Sequence, residues 1–278
     1  MRGVTGVGSL SILLALPVLG ACAPKVSAGE WECPAERGPD GGVIEPPAKT
    51  DPVTVPWSTG FEEGFCAYPS LDGAGFCYGD GPYLLVSEPH RPGGHQAAEF
   101  KVVGGDWNQT RCVRQGAFPD SAYYGAWYYI PEALEDAPNW NLWHFQGGDA
   151  PAPRLRDLWD VTLSEIAQSG EWELVVKDYL VAAPDVTVYT GADHKPIPIG
   201  KWFHIELFLK RAADSTGKLA LYQDGVLLFE KANLKSDLSP FTQWYVGDWA
   251  EKATPANSSL FVDDVSISTM LSSTSATL

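Results

Sequence analysis

From Trp57 onward, apolar and polar side chains alternate with a period of two, the spacing of a strand with one buried face. Lys201 to Arg211 (KWFHIELFLKR) is the clearest case. It sends Phe203, Ile205, Leu207 and Leu209 to one side, and Trp202, His204, Glu206, Phe208 and Lys210 to the other. The next run, Lys218 to Glu230 (KLALYQDGVLLFE), alternates on both sides of Asp224-Gly225, the dipeptide that suits a type I′ hairpin turn. Tyr124 to Ile130 places Tyr124, Ala126, Tyr128 and Ile130 on one face, with Gly125, Trp127 and Tyr129 opposite. After a Pro-bearing loop, Trp140 to Gln146 directs Trp143 and Phe145 one way, and Leu142, His144 and Gln146 the other. The pattern predicts further strands at Tyr83–Ser87, His95–Val103, Gln109–Gln115, Trp159–Ile166, Trp172–Val176, Gln243–Ala250 and Leu260–Ser268. A helix over 155–167 is disfavoured by the β-branched and Trp content and by the two-residue alternation. About a dozen strands joined by short turns predict two stacked antiparallel sheets, an all-β jelly-roll β-sandwich.

The ends of the chain read differently. Leu10–Leu19 is an apolar run too short to span a bilayer, behind a minimal charged region at Met1-Arg2. It closes on Leu19-Gly20-Ala21-Cys22, which resembles the bacterial lipobox. Residues 1–21 are therefore expected to be a lipoprotein signal peptide with Cys22 lipidated, and the chain to be exported and anchored to a membrane, outer membrane or cell surface. Residues 22–55, rich in Pro, Gly and charge, read as a tether. The sandwich domain is expected over 56–268, with a Ser/Thr-rich disordered tail over 269–278.

Composition adds two constraints. Eleven each of Trp, Tyr and Phe exceed what packing alone requires and point to a binding surface. A net charge of −16 argues against nucleic acid as a partner, though not against a local basic cleft. Setting Cys22 aside, four of the five cysteines remain, an even set for an oxidising compartment, and three pairings are possible. The expected pairing is Cys66–Cys77, closing a short Gly-rich loop, with Cys33–Cys112 left over.

Three segments carry a family resemblance: IPIGKWFHIELFLK, GKLALYQDGVLLFE and SSLFVDDVSIS. With them, Trp57–Ser268 resembles the concanavalin A-like lectin/glucanase superfamily, and the middle stretch is most similar to its polysaccharide lyases of the heparin lyase I and alginate lyase type. The glucanase branch fits less well, because its Glu-x-Asp-x-x-Glu strand is absent and Glu171-Trp172-Glu173 is the nearest approach. The lyase resemblance implies a Gln-x-His pair on one strand, and this chain carries the pair reversed as His144-Phe145-Gln146. It also implies an Arg-x-Glu strand, for which HQAAEF keeps Glu99 but has Gln96 and Ala97 in place of the Arg. A C-terminal Tyr acting as acid and base would be Tyr245.

On this resemblance His144 and Tyr245 are the proton-transfer candidates and Gln146 the group that neutralises a uronate carboxylate. Trp140, Glu99, Trp202, His204 and Glu206 join Gln146 as candidate polysaccharide contacts. The resemblance further implies a structural calcium held where the first and last strands pair, with Glu62 and Asp263 as ligands, and no other cofactor. The leading expectation is a monomeric lipoprotein whose jelly roll binds polysaccharide in a concave groove, with β-elimination on a uronic-acid polymer as its enzymatic version. The alternative is a non-catalytic protein-interaction or envelope-structural jelly roll.

Overall fold

A computed structural model describes residues 26–27, 33, 47–103, 106–132, 135, 139–149, 155–180, 186–252 and 254–272. Cys22, the signal peptide, most of the tether and the end of the tail lie outside the described residues.

The described chain forms sixteen strands and no helix. They are β1 (Val26–Ser27), β2 (Trp57–Thr59), β3 (Gly75–Gly79), β4 (Tyr83–Val86), β5 (Ala97–Lys101), β6 (Asn108–Gly116), β7 (Ser121–Tyr129) and β8 (Asn139–Gly148). Then follow β9 (Arg156–Glu165), β10 (Trp172–Asp178), β11 (Thr187–Tyr189), β12 (Trp202–Lys210), β13 (Gly217–Gln223), β14 (Val226–Leu234), β15 (Phe241–Glu251) and β16 (Ser259–Ser268). Two antiparallel sheets result. One runs β1-β4-β5-β16-β7-β12-β13-β14 with β2 beside β16, and the other runs β11-β10-β9-β8-β15-β6-β3. This is the jelly-roll sandwich that the alternation predicts.

The core lies between the sheets and takes the apolar face of each. Tyr124, Ala126, Tyr128, Phe203, Ile205, Leu207 and Leu209 enter it from the first sheet, and Trp143, Phe145, Trp159, Val161 and Trp244 from the second. Burying aromatic side chains of this size contributes about 1.5–3 kcal/mol each, the main favourable term opposing chain entropy. The Asp224-Gly225 turn joins β13 to β14 with both residues at positive φ (52° and 73°), as a type I′ turn requires.

The disulfides depart from expectation. Cys77 pairs with Cys112, and Cys33 with Cys66. The stretch after Cys66 is not one closed loop: Gly75–Gly79 is a strand, and its register sets Cys77 directly opposite Cys112 on β6. Facing residues on adjacent strands meet the distance a disulfide needs, which leaves Cys66 for Cys33. Within the expected tether, Val26–Ser27 adds a short edge strand to β4.

Candidate active site

The outward face of the seven-stranded sheet holds a cleft of about 270 Å³. Its floor is a ladder of polar side chains from neighbouring strands. His144 on β8 lies between Tyr245 on β15 and Asp160 on β9, each its direct cross-strand partner. One step along, Gln146 faces Gln243, and Gln243 faces Gln115 on β6. Arg111 and Gln109 on β6, Asn141, Asp157, Tyr179, Tyr78 and Trp249 complete the lining.

Strict alternation would not assemble this set. A register shift between β8 and β9 lets Phe145 face Trp159 while Gln146 faces Asp157, so Leu158 is the extra residue. Leu158 and Trp159 both turn to the core, and Asp157 and Asp160, three apart, both reach the cleft. A second shift at Leu142 does the same for Asn141 and His144. On β15, Gly247 stands opposite Arg111 at φ 125°, where a Cβ would lie 2.6 Å from the Thr110 carbonyl oxygen. The bare backbone there lets β15 lie close against the backbone of β6.

Hydrogen bonds fix the orientation of these groups. His144 Nδ1 meets Asp160 Oδ1 and its Nε2 lies 3.2 Å from Asp157 Oδ1. Gln146 Nε2 donates to the same Asp157 oxygen at 2.8 Å, and Tyr179 Oη donates to Asp160 Oδ2 at 2.7 Å. Tyr245 Oη donates toward Gln146 Oε1 at 2.9 Å and also meets Gln243 Oε1. Arg111 donates to Asn141 Oδ1 and to the Asp248 carbonyl, both at 3.3 Å, and its guanidinium lies 5.4 Å from the centre of the Tyr245 ring.

The electrostatics sort these groups into roles. Burial opposes charging His144, but the Asp160 charge and the hydrogen bonds to Asp157 and Asp160 outweigh burial and the nearby Arg111, and its pKa is raised. Both ring nitrogens of His144 are thus engaged by carboxylates. Burial, with help from Tyr78 and Asp157, pushes the Tyr245 phenol well above its ordinary range, against the pull of Arg111. On the core side of β15, burial raises Asp248 to about 8 against the pull of Arg111, and among the described residues neither carboxyl oxygen has a hydrogen-bond partner of ordinary geometry. A largely protonated Asp248 leaves the Arg111 charge free for an anion in the cleft.

A family model described as polysaccharide lyase matches residues 79–266. The chain belongs to the polysaccharide lyase family. Among solved structures this lyase-family chain is similar to an endo-β-1,4-glucuronan lyase from the fungus Trichoderma reesei, at 16% identity over 77% of this chain and 95% of that one, with a TM-score of 0.56. It is also similar to the marine PL-14 alginate lyase from Aplysia kurodai, at 10% identity over 77% and 99% of the two chains, with a TM-score of 0.53. At these identities the likeness is one of fold. No curated protein matches the chain.

Of the residues expected to meet substrate, His144, Gln146 and Tyr245 come together in the cleft. The others do not. Trp140 is fully buried in the core, because the shift at Leu142 turns it inward. Trp202, His204 and Glu206 lie on β12 of the other sheet and point away from the core, so they occupy the opposite side of the molecule. Glu206 accepts from the backbone and hydroxyl of Ser272, in the part of the expected tail that docks on that face. Glu99 is on β5 of the same sheet, paired with Lys101 at 2.7 Å and Ser259 at 2.8 Å. An arginine that the sequence reading did not single out, Arg111 of QTRCVRQ, lines the cleft from β6, and the polar alternation of that segment was the available signal.

Glu62, Asp263 and Asp264 converge beside Gly60, where β2 pairs with β16. Asp263 is raised to about 6 by burial and by the charges of Asp264 and Glu62. Such crowding fits hard-cation chemistry. The carboxylates already accept N–H groups, Glu62 from His95 and Gln96, and Asp263 from Arg91 and Asp264. Among the described residues no three His, Cys, Asp or Glu side chains are spaced to hold a metal ion.

Proposed function

We propose that the chain cleaves a uronic-acid-containing polysaccharide by β-elimination in the cleft of the seven-stranded sheet. The observation that carries this reading is the placement of one guanidinium, Arg111, and the His144 ring on the same phenol, Tyr245. Arg111 attracts the uronate carboxylate, which acidifies the adjacent C5–H bond, and His144 is held beside it by Asp157 and Asp160. Tyr245, whose ionisation burial opposes and Arg111 favours, takes the C5 proton as its phenolate. The C5–H electron pair becomes the C4=C5 double bond, the C4–O bond breaks, and the glycosidic oxygen leaves with that electron pair. It then takes the proton back from Tyr245, which returns to its starting state. His144 is not the base, because its nitrogens already serve Asp157 and Asp160.

The experiment is digestion of glucuronan, alginate and hyaluronan by the mature chain, with products read by mass and ultraviolet absorbance. Elimination leaves fragments one water lighter than hydrolysis and bearing an absorbing unsaturated uronate. Fragments of full hydrolytic mass would refute the mechanism, and binding without fragments would make the cleft a carbohydrate-binding site.

The finer setting is part of the same proposal: export, and lipid attachment at Cys22. Two disulfides support an oxidising compartment. Cys22→Ser is expected to move the protein from the membrane to the soluble fraction, and unchanged membrane association would count against the anchor.

A further inference from the structure

We propose that the cleft takes a polymer in which the reacting uronate is flanked by neutral sugars, not by further uronates. The proposal rests on the β-elimination reading and adds the substrate class. Among the described residues lining the cleft, the cations are Arg111 and His144, and the anions are Asp157 and Asp160. Asp157 and Asp160 bracket the His144 ring, so its charge is spent within the protein. Among these described residues Arg111 is then the one uncompensated cation, enough for a single carboxylate. Farther across the sheet, Lys177 donates to Asn139 at 2.7 Å and shares its surroundings with Asp160 and Glu251. A second uronate beside the first would therefore meet carboxylates, on a chain that already carries −16. Like-charge approach of this kind discriminates by repulsion as much as a cation does by attraction.

The end of the cleft offers a neutral sugar something better. Trp107 is 61% exposed, and its ring centre lies 5.3 Å from that of Trp249, which lines the cleft. An exposed indole beside a half-buried one, with the neutral amide of Gln109 next to them, suits the C–H face of an uncharged pyranose. A homopolyuronate would use this platform while placing its extra charges against Asp157.

The test compares two polymer classes on the mature chain. Alginate and glucuronan carry a carboxylate on every sugar, while hyaluronan, unsulfated chondroitin and gellan carry 4-linked glucuronate among neutral sugars. The expected result is a kcat/KM at least tenfold higher on one or more of the mixed polymers than on either homopolyuronate. On affinity gels, retardation by alginate and glucuronan is expected to strengthen as salt rises, because salt screens repulsion. Faster cleavage of the homopolyuronates, or retardation by them that weakens with salt, would overturn the proposal and leave the lyase reading standing. If no polymer yields unsaturated product, the lyase reading fails, and the salt trend alone decides the class of polymer bound. Trp107→Ala is expected to raise KM about tenfold on a mixed polymer with kcat kept, and an unchanged KM would overturn the aromatic half of the argument.

Discussion

The molecule presents two outward sheet faces, and each centres on a histidine flanked by aromatic rings. On the seven-stranded sheet, His144 sits 5.2 Å from the Tyr245 ring and between two aspartates. On the nine-stranded sheet, His204 sits 5.0 Å from the Trp127 ring, which is covered by the Arg91 guanidinium at 3.4 Å. Both lie on strands with the same alternation, and both are largely buried. Their charges diverge. His144 is raised by its aspartates, whereas burial and Arg91 drive His204 down to about 4 despite Asp224. The strand that carries a histidine decides which way it points, and the neighbouring strands decide what it can do. One face has an arginine and an aspartate-held imidazole beside a phenol. The other has a neutral imidazole beside an indole that an arginine covers.

The largest expected effect separates the faces by activity. Arg111→Ala should lower kcat/KM by about 10²–10³, the range for removing a charge stabiliser, while His204→Phe should leave it within about twofold in the same assay. The pH profile sharpens this. Because the Tyr245 phenol is raised and must ionise, kcat/KM should climb with pH through the alkaline side; a profile falling above neutrality would contradict Tyr245 as the base.

Stability follows next in size. Between pH 6.5 and 4 the unfolded chain protonates His204 and the folded chain does not, so acid weakens the fold. His204→Phe should therefore flatten the loss of stability between pH 7 and pH 5 by roughly 2 kcal/mol, measured by urea melts at the two values. The sign reverses for His144. Its folded pKa is raised, so its contribution is complete below the unfolded value and is lost as pH rises through the folded one. Asp248 obeys the rule for a raised carboxyl, which costs stability as pH rises from 3.8 toward 8. Asp248→Asn should stabilise the fold at pH 7 by about 1–3 kcal/mol, and a lower melting temperature would contradict this account of the buried acid. Smallest is the effect proposed for calcium at Glu62 and Asp263. Adding it to chelator-treated protein should raise the melting temperature by a few degrees, and no shift would remove calcium from the account.

Much of the fold was legible because the signals were local. Period-two runs, the Asp-Gly turn and the inward faces of β7 and β12 all reappear in the structure. The site was legible only in part. His144, Gln146 and Tyr245 follow from resemblance, but Asp157 and Asp160 reach the cleft together only through the extra residue at Leu158. No alternation rule announces a bulge. Trp140 was misplaced for the same reason, and Trp202, His204 and Glu206 because alternation gives a face of a strand without naming the sheet. The disulfides failed on non-local register, since only the pairing of β3 with β6 sets Cys77 against Cys112.

The most direct test of the central claim is the rate of unsaturated-uronate formation by the unaltered protein, Tyr245→Phe and His204→Phe, run side by side on one cleaved polymer with circular dichroism to verify folding. The account predicts full rate from the unaltered protein and His204→Phe, and a loss of about 10²–10⁴ in Tyr245→Phe. A folded Tyr245→Phe that keeps its rate, or a folded His204→Phe that loses it, would place the chemistry elsewhere than in the cleft of the seven-stranded sheet.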